Sequence, residues 1–556
     1  MGEDSERTDA MQGVASGGTL AAYPLPPRWE LWAFVAFALL ATAVYGPALS
    51  GPFLSDDIAY LISHPYTKPL SLANVRAMLD PFGPAKLYAA NYAPVHLLAT
   101  ALELRMFADS MPPYHLVNVG LHALNAVLLA CWLRRAGLGT PAVLGGGLFF
   151  LLHPANVEAV AWISQLKTQG ALAFGLGAIL VFQRHPVSGA VLFALSLLTK
   201  ASGLFALPTA AAWLWADRSA TRRDWLGLAS WLAIAALYAV PQFASFSHLG
   251  AVEVPAYEAP WVQLRSVAAI GARYLLMAPT SIGVSAWQEP EPALSWLDPW
   301  WLASIPLGCA LGARGLWCLN RRQREAAFWV AAVAAWVPIS QLFPFATPVA
   351  DRYLLFILPG LVGGAVLASR HGLARLGGAV PHALGFAFAA AFAALLVGFG
   401  IHSHARAGLW QSETRLLLDA ARHYPDGATA KILAARSAAQ RGDVEASVAA
   451  LRAVGARGAD RFTALAQDPG LAPIRHTPEF QSFIYDSAGR WIELARKRGY
   501  STQPELRFLA IAHSTRGEHA EALAALEAAL AAGGPLEPQV RQELEAARRA
   551  LAESGR

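Results

Sequence analysis

The sequence predicts an all-α membrane protein, in which a helical bundle of about eleven spans is followed by a C-terminal helical domain. Of the 556 residues, 55% are hydrophobic and only 15% are charged, whereas about 25% of the residues in soluble domains are charged. Apolar stretches close to the roughly 20 residues that a spanning helix needs recur from Glu30 to about Ile401 and then stop. From about His404 onward the chain is rich in Ala, Glu and Arg, which is typical of a soluble helical domain.

The charge and the cysteines exclude several classes of protein. The net charge is +5, and much of the positive charge lies in short loops, which indicates membrane topology and no nucleic-acid partner. Cys131, Cys309 and Cys318 lie in apolar stretches, so neither a disulfide framework nor a zinc site is predicted. Residues 1–28 are polar, which predicts a disordered cytoplasmic tail. The apolar run from Leu31 lacks the pattern of a cleavable signal peptide and is predicted to be the first span.

Arginine clusters at the ends of apolar stretches set the predicted orientation, because short cytoplasmic loops are enriched in Lys and Arg. Placing every cluster in the cytoplasm predicts spans at roughly 30–48, 113–134, 140–153, 168–183, 187–200, 202–216, 225–244, 299–318, 326–345, 351–369 and 380–401. The N-terminus is then inside, and the loop 49–112 and the C-terminus are outside. The predicted domains are the tail 1–28, a transmembrane domain 29–403 and an extracytoplasmic domain 404–556. We expect a bacterial inner-membrane protein with its C-terminal domain in the periplasm or outside the cell, or an endoplasmic reticulum protein in a eukaryote.

Two further apolar segments do not fit this alternation, because an arginine cluster would face outside if either segment crossed alone. Segment 91–107 is predicted to be an amphipathic helix at the outer surface, with Glu103 and Arg105 as its polar residues. Segment 264–282 is predicted to be interfacial or re-entrant, since its two arginines would be costly in a free span.

Two stretches of the C-terminal domain, 440–446 and 515–522, resemble each other. Gly442 and Gly517 each lie between two Ala-rich helical segments, and they are 75 positions apart, about twice the 34-residue tetratricopeptide period. We expect the small glycine to let the two helices of a pair approach closely. The pattern predicts a tetratricopeptide-like α-solenoid with a concave surface for a peptide or protein. A generic helical bundle is the alternative for the degenerate region between the two stretches.

Charged residues near or within apolar stretches are functional candidates, because a charge is costly in the membrane. The predicted topology places several of them at the outer level of the bundle. The acidic candidates are Asp56, Asp57 and Glu158, and the basic candidates are Lys167, Lys200 and Arg352. Their convergence at one level is the argument for a functional site.

Structural explanations of these polar residues also stay open. The two adjacent aspartates are placed to cap a short helix. His153 is placed to end a helix before Pro154, and Asp351 to form a local ion pair with Arg352. Interhelical hydrogen bonds alone would account for four polar residues at helical spacing in the second span; these are His115, Asn118, His122 and Asn125.

This combination of residues suits the transfer of a sugar from a lipid-linked phosphate to a hydroxyl group. A Ser or Thr hydroxyl is a poor nucleophile at neutral pH, and a positioned carboxylate accepts its proton as the new carbon–oxygen bond forms. The phosphate leaving group needs no proton but gains charge, which Lys or Arg stabilises in a poorly solvated site. No Gly-rich phosphate loop or metal-ligand cluster stands out, so the sequence predicts no cofactor, no metal site and no nucleotide-sugar site. A divalent ion near the acids is left open.

Six pieces of the sequence occur in the order found in one family of proteins; they are 53–60, 91–94, 115–125, 153–164, 197–200 and 350–353. On these motifs the membrane half resembles the GT-C glycosyltransferases. The whole chain resembles the transmembrane and tetratricopeptide-repeat (TMTC-like) O-mannosyltransferase-like proteins and their bacterial relatives. The resemblance implies a GT-C-like helical bundle. It also implies transfer of a hexose such as mannose from polyprenyl phosphate to a Ser or Thr of an extracytoplasmic protein.

The resemblance further implies roles for individual residues. Asp56 is the expected base, with Asp57 as its partner or substitute, and Glu158 is expected as a second acid at the acceptor or the sugar. The donor phosphate is expected at Lys167, Lys200 and Arg352. Supporting roles are implied for Tyr60, Asn91, Tyr92, His115, His153, Asp351 and Tyr353. The expected partners are the lipid-linked sugar donor, a protein or peptide acceptor held by the repeat domain, and membrane lipids.

Three other functions are compatible with the sequence. A non-enzymatic membrane scaffold would use its repeat domain to recruit extracytoplasmic proteins. A GT-C enzyme would instead modify a lipid or a cell-envelope glycan. A transporter is disfavoured, because the polar residues gather at one face and not near the bilayer midplane.

Overall fold

The computed structural model describes residues 25–83, 85, 91–246, 257, 259–343, 347–375, 381–455, 462–534 and 536–554. Every regular element in these ranges is a helix, which confirms the all-α prediction. Most of the predicted N-terminal tail, residues 1–24, lies outside the described ranges.

The membrane half contains α1 Trp29–Tyr45, α2 Leu72–Leu79, α3 Pro94–Phe107, α4 Met111–Arg135, α5 Thr140–Leu152, α6 Val157–Ala161, α7 Leu166–Val181, α8 Pro186–Thr199, α9 Ala206–Ala216, α10 Arg222–Phe246, α11 Pro260–Thr280, α12 Pro299–Asn320, α13 Glu325–Trp336, α14 Leu354–Arg375 and α15 His382–Ala407. The C-terminal half contains α16 Glu413–His423, α17 Ala428–Gln440, α18 Val444–Gly455, α19 Phe462–Gln467, α20 Pro478–Arg498, α21 Gln503–Thr515, α22 His519–Ala532 and α23 Glu537–Ser554. The predicted boundary at 403–404 falls inside α15.

Six helices in the described part of the chain are long and apolar enough to cross a membrane. They are Trp29–Ala48, Met111–Arg135, Arg222–Ser245, Pro299–Asn320, Asp351–Leu373 and His382–Gln411. A seventh crossing is formed if α5 and the segment Pro154–Ala161, which meet at 50°, count as one span. The chain is therefore a multi-pass membrane protein, but the predicted number of about eleven spans is too high by this criterion.

The difference arises from short apolar helices inside the bundle. The helices α7, α8, α9 and α13 contain only 11 to 16 residues each, and a crossing needs about 20. Many of their side chains are buried against other helices. Apolar composition alone does not separate such core helices from spanning ones.

The centre of the membrane half is α4, which packs against α1, α5 and α7. Near its C-terminal end, the ring of Trp132 stacks on Phe328 of α13 with centroids 4.0 Å apart. Two glycines of α14, Gly360 and Gly363, lie against the same phenylalanine, and a Cβ at either position would overlap α13. Close packing of α13 and α14 therefore depends on these glycines.

The arginine clusters assigned to the cytoplasm gather at one end of the bundle. The guanidinium of Arg324 donates to the Arg135 carbonyl at 3.2 Å, and that of Arg370 donates to the Gly137 carbonyl at 2.7 Å. The 25 residues of α4 extend about 38 Å from this end to the opposite one. Sequentially distant arginines thus share one end, as the positive-inside pattern requires.

The two segments that break the alternation fold as α3 and α11. The amphipathic pattern predicted for α3 is wrong, because Glu103 is buried at 7% exposure while Leu102 and Met106 are exposed. Packing against the first loop turns the acid inward. In α11, Arg265 is buried and donates to two backbone carbonyls of the following loop at 3.0 and 2.6 Å. These bonds engage Nε and Nη2 of a guanidinium that would be costly in a free span, while its Nη1 has no hydrogen-bond partner among the described residues.

The C-terminal half contains two helical hairpins, α17–α18 and α21–α22, at the predicted repeats. Their turns contain Gly442 and Gly517, with φ of +77° and +74°. Nothing lies within 4 Å of a Cβ built at either position. The predicted reason for the glycines, close helix approach, is therefore wrong, and the left-handed backbone conformation is the reason. The 21-residue α20 lies between the hairpins, so a tetratricopeptide solenoid stays a prediction.

Candidate active site

Asp57 fastens the first loop to the bundle. Its Oδ2 accepts the backbone N–H of Leu54 at 2.9 Å, and its Oδ1 accepts that of Ser164 at 2.7 Å. Burial raises the pKa of Asp57 to about 7, although the two N–H bonds lower it. The aspartate does not cap the helical turn Ile58–Ile62, so the capping explanation fails for it. Since both oxygens are engaged with backbone, Asp57 holds the loop in place.

Asp56 is the accessible acid of the same loop. Its side chain is 45% exposed, and its Oδ2 lies 3.8 Å from Nζ of Lys167 at the start of α7. The Lys167 ammonium donates to the Tyr60 hydroxyl at 3.1 Å and lies 4.2 Å from the centroid of that ring. The structure thus brings Asp56, Lys167 and Tyr60 together.

Glu158 on α6 and Arg352 form a buried ion pair, with side chains 4% and 13% exposed. One Glu158 oxygen contacts the guanidinium, and the other accepts the backbone N–H of Arg352 at 2.8 Å. The guanidinium also lies 5.3 Å from the ring centroid of Trp162 and 4.9 Å from that of Tyr353. Glu158 therefore sets the position of Arg352.

Lys200 lies near both pairs. It lies between α8 and the next helical turn, and its Nζ donates to a threonine hydroxyl of α7 at 2.8 Å. The charges of Asp56, Glu158, Lys167 and Arg352 all act on Lys200. We call these five residues the acid–base cluster. The two acids Asp56 and Glu158 lie at the same end of the bundle, opposite the arginine clusters.

Asp351 does not pair with the adjacent Arg352, so the local ion pair is not formed. Its carboxylate is buried, pairs with Arg406 of α15 at 3.1 Å, and accepts from the Ser285 N–H and the Gln288 amide at 3.0 and 2.6 Å. These two consecutive residues therefore have different partners. Arg352 belongs to the acid–base cluster, whereas Asp351 fastens the loop after α11 to the end of α15.

The polar face of α4 forms hydrogen bonds between segments, as the structural explanation predicts. Nε2 of His115 lies 3.1 Å from a carbonyl of the first loop, and Asn118 donates to the Trp162 carbonyl at 3.0 Å. His153 caps the helical turn Pro154–Asn156 through Nδ1, and its Nε2 lies 2.9 Å from a carbonyl of α11. His115 and His153 therefore hold neighbouring loops in place, and their implied supporting role in the site stays a prediction.

Tyr92 fastens the loop before α3 to two other helices. Its hydroxyl donates to the Leu79 carbonyl at 2.8 Å, and its N–H donates to Gln242 of α10 at 3.1 Å. Asn91 is half-buried beside it. Within the described ranges, no hydrogen bond joins either residue to the acid–base cluster, so their implied supporting role stays a prediction.

Sequence reasoning missed three residues at this site. The ring of Trp162 lies under Arg352, and its Nε1 donates to the Leu54 carbonyl at 3.0 Å. His96 packs its ring against Tyr60 with centroids 5.4 Å apart. Glu103 is buried nearby, and burial followed by the charge of Asp57 raises the pKa of Glu103 to about 8. His96 follows the 91–94 motif by two positions, which was the available signal.

The cluster has the chemistry of an anion site with one accessible carboxylate. Three basic side chains face two carboxylates, and burial lowers the pKa of Lys200 well below its usual value, so a nearby anion favours its charged form. Among the described residues, no group of three or more His, Cys, Asp or Glu side chains is arranged to hold a metal ion. The arrangement suits an anionic ligand, with Asp56 placed to accept a proton from a group that lies beside that ligand.

Two curated proteins are similar to part of this chain. Protein O-mannosyl-transferase TMTC1 of Mus musculus is 30% identical over 178 residues, which are 30% of this chain and 19% of that protein. Protein O-mannosyl-transferase Tmtc1 of Drosophila melanogaster is 29% identical over 160 residues, 28% of this chain and 18% of that protein. The chain is a relative of these proteins.

This relationship confirms the resemblance that the ordered motifs indicated. The matched residues span less than a fifth of the length of each curated relative. No protein-family model matches the chain, and no solved structure matches it.

Proposed function

We propose that the protein is a membrane glycosyltransferase that moves a hexose such as mannose from a polyprenyl phosphate to a Ser or Thr hydroxyl of an extracytoplasmic protein. The carrying observation is the acid–base cluster, in which the exposed carboxylate of Asp56 lies 3.8 Å from Lys167 beside the buried Glu158–Arg352 pair. The names of the two relatives support protein O-mannosylation as the reaction class.

In the proposed reaction, the acceptor hydroxyl oxygen attacks C1 of the sugar and loses its proton to Asp56. The bond between C1 and the phosphate oxygen breaks, and its electron pair stays on the phosphate. The polyprenyl phosphate then leaves with one more negative charge. Lys167, Lys200 and Arg352 stabilise that charge in a poorly solvated site.

The remaining residues hold these groups in place. Glu158 keeps the Arg352 guanidinium oriented, and Asp57 keeps the first loop, with Asp56, against the bundle. Such positioning matters, because a displacement of about 1 Å at a reacting group costs about a hundredfold in rate. The three basic side chains of the cluster suit a phosphodiester, which carries one negative charge and favours the charged form of Lys200. The helical hairpins of the C-terminal half would bind the acceptor protein.

The test is sugar transfer by the full-length protein in proteoliposomes, with mannosyl polyprenyl phosphate and a Ser/Thr-rich peptide. Asp56→Asn is expected to lower the transfer rate by about 10²- to 10⁴-fold. Glu30→Gln is the matched control, because Glu30 is an exposed carboxylate of α1 near the arginine end of the bundle. Equal transfer by Asp56→Asn and the wild-type protein would overturn the proposed base. Transfer to a lipid or glycan but to no peptide would assign another acceptor class, and no transfer at all would favour a scaffold.

A further inference from the structure

His96 lies one ring away from the acid–base cluster. It belongs to the first turn of α3 and is 2% exposed. Its imidazole meets the Tyr60 ring at an interplanar angle of 85°. The Lys167 ammonium lies over the ring of that tyrosine and donates a hydrogen bond to its hydroxyl. The imidazole thus packs on the tyrosine that contacts Lys167.

The two nitrogens of His96 differ in their hydrogen bonds. Nδ1 lies 3.5 Å from the hydroxyl of Thr100, one turn along α3. Nε2 is buried and has no hydrogen-bond partner among the residues that the structure describes. If Thr100 donates to Nδ1, the neutral ring carries its proton on Nε2. A buried N–H without an acceptor is costly and rare in native proteins.

The other buried histidines near the bundle core are arranged differently. Nε2 of His122 lies 3.1 Å from the Leu151 carbonyl, and Nε2 of His153 lies 2.9 Å from the Ala278 carbonyl. Each of these rings therefore has a backbone acceptor for an N–H. Within the described ranges Nε2 of His96 has no such acceptor, although the charges of both Lys167 and Lys200 act on this ring.

The surroundings of His96 keep the ring neutral. Burial lowers the pKa of His96 well below its usual value, and the charges of Lys167, His64 and Lys200 lower it further. The neutral Nε2–H of His96, near Lys167 and Lys200, needs a hydrogen-bond acceptor. An anion is the suitable acceptor, because the two lysines attract it and would repel a cation. The oxygens of a phosphate meet this requirement without adding positive charge to the protein.

We propose that His96 donates its Nε2–H to a non-bridging phosphate oxygen of the lipid-linked donor, beside Lys167 and Lys200. This inference rests on the proposed function. The donor would thereby satisfy a buried ring N–H that has no acceptor among the residues that the structure describes. His96 is then a binding residue for the phosphate, and Thr100 is the positioning residue that fixes its tautomer.

The test is binding of farnesyl monophosphate, a short soluble polyprenyl phosphate, to the full-length protein in detergent. His96→Phe keeps a ring against Tyr60 but removes the N–H, and it is expected to weaken binding about tenfold or more. His96→Gln places an amide N–H near the former Nε2 and is expected to stay within about threefold of the wild type. His122→Phe removes another buried imidazole and is expected to leave the affinity unchanged.

The outcomes separate this inference from the proposed function. If His96→Phe binds the probe like the wild type while Lys167→Met and Lys200→Met bind weakly, the role of His96 is refuted and the donor site stands. If all three variants bind like the wild type, the proposed donor site itself fails. Equal losses in His96→Phe and His96→Gln would show that ring packing, and not the N–H, matters, which also refutes the inference.

Discussion

Replacing Glu158 with Gln is expected to lower the free energy of unfolding of the membrane half by about 3–5 kcal/mol. The carboxylate is 4% exposed, and both of its oxygens contact Arg352. Gln keeps the shape and one acceptor but removes the charge that balances a guanidinium that is itself only 13% exposed. The cost is therefore that of leaving a charge unpaired in a poorly solvated place.

A comparison with Asp56→Asn tests whether the loss of stability depends on the burial of the ion pair. Asp56 also pairs with a cation, but at 3.8 Å and with its side chain 45% exposed. An exposed pair of this kind contributes about 0–1 kcal/mol. The same loss of one negative charge is thus expected to be several times more costly at Glu158 than at Asp56.

The assay is equilibrium unfolding in mixed micelles with increasing SDS, followed by the fluorescence of the 18 tryptophans. The double variant Glu158→Gln/Arg352→Met is expected to recover part of the loss, because it leaves no unpaired charge, and the cycle gives the coupling between the residues. A loss below about 1 kcal/mol for Glu158→Gln, or additive losses in the double variant, would refute the claim that a buried ion pair fixes Arg352.

Two further predictions concern stability. Burial raises the pKa of Glu103 to about 8 from a usual value near 4.5. The folded protein therefore holds this proton over that interval, and its stability falls as pH rises from about 4.5 to about 8. Glu103→Gln is expected to make this fall smaller, and an equal change in stability between pH 5 and pH 8.5 in both proteins would contradict the assignment. Gly363→Ala is expected to destabilise the protein by about 1–3 kcal/mol, because the new Cβ overlaps Phe328; the matched control in thermal unfolding is Gly372→Ala, where a Cβ meets nothing within 4 Å.

The helical class and the convergence of the charged residues were predictable from the sequence. Asp56 and Arg352 occur in the ordered motifs, Lys167 follows one of them, and the predicted topology places all three at the outer end of the bundle. Their charge is costly in a membrane, which marks them as functional candidates. The number of spans was not predictable, because hydropathy reports burial from water and does not say whether lipid or protein covers a helix. Helices such as α9, with 11 residues, are covered by the bundle itself.

The pairing of residues that lie far apart in the sequence was also not predictable. Arg352 and Asp351 are adjacent and of opposite charge, which favours a local pair in any reading of the sequence. The backbone turn Asp351–Tyr353 sends the two side chains in different directions, and Glu158, the partner of Arg352, is 194 positions away. His96 was missed for a related reason, since a position two residues after the 91–94 motif does not by itself distinguish this histidine from a core residue.

The bonds of Asp351 have a mechanical consequence for the two halves of the molecule. Arg406, which pairs with Asp351, also lies 3.7 Å from Asp419 of α16, and Asp419 accepts the Ala286 N–H at 2.8 Å. The first helix of the C-terminal half is therefore connected, through two ion pairs, to the residue next to Arg352. A tilt of that helix would therefore strain the turn that carries Arg352, since the same chain of ion pairs joins the two.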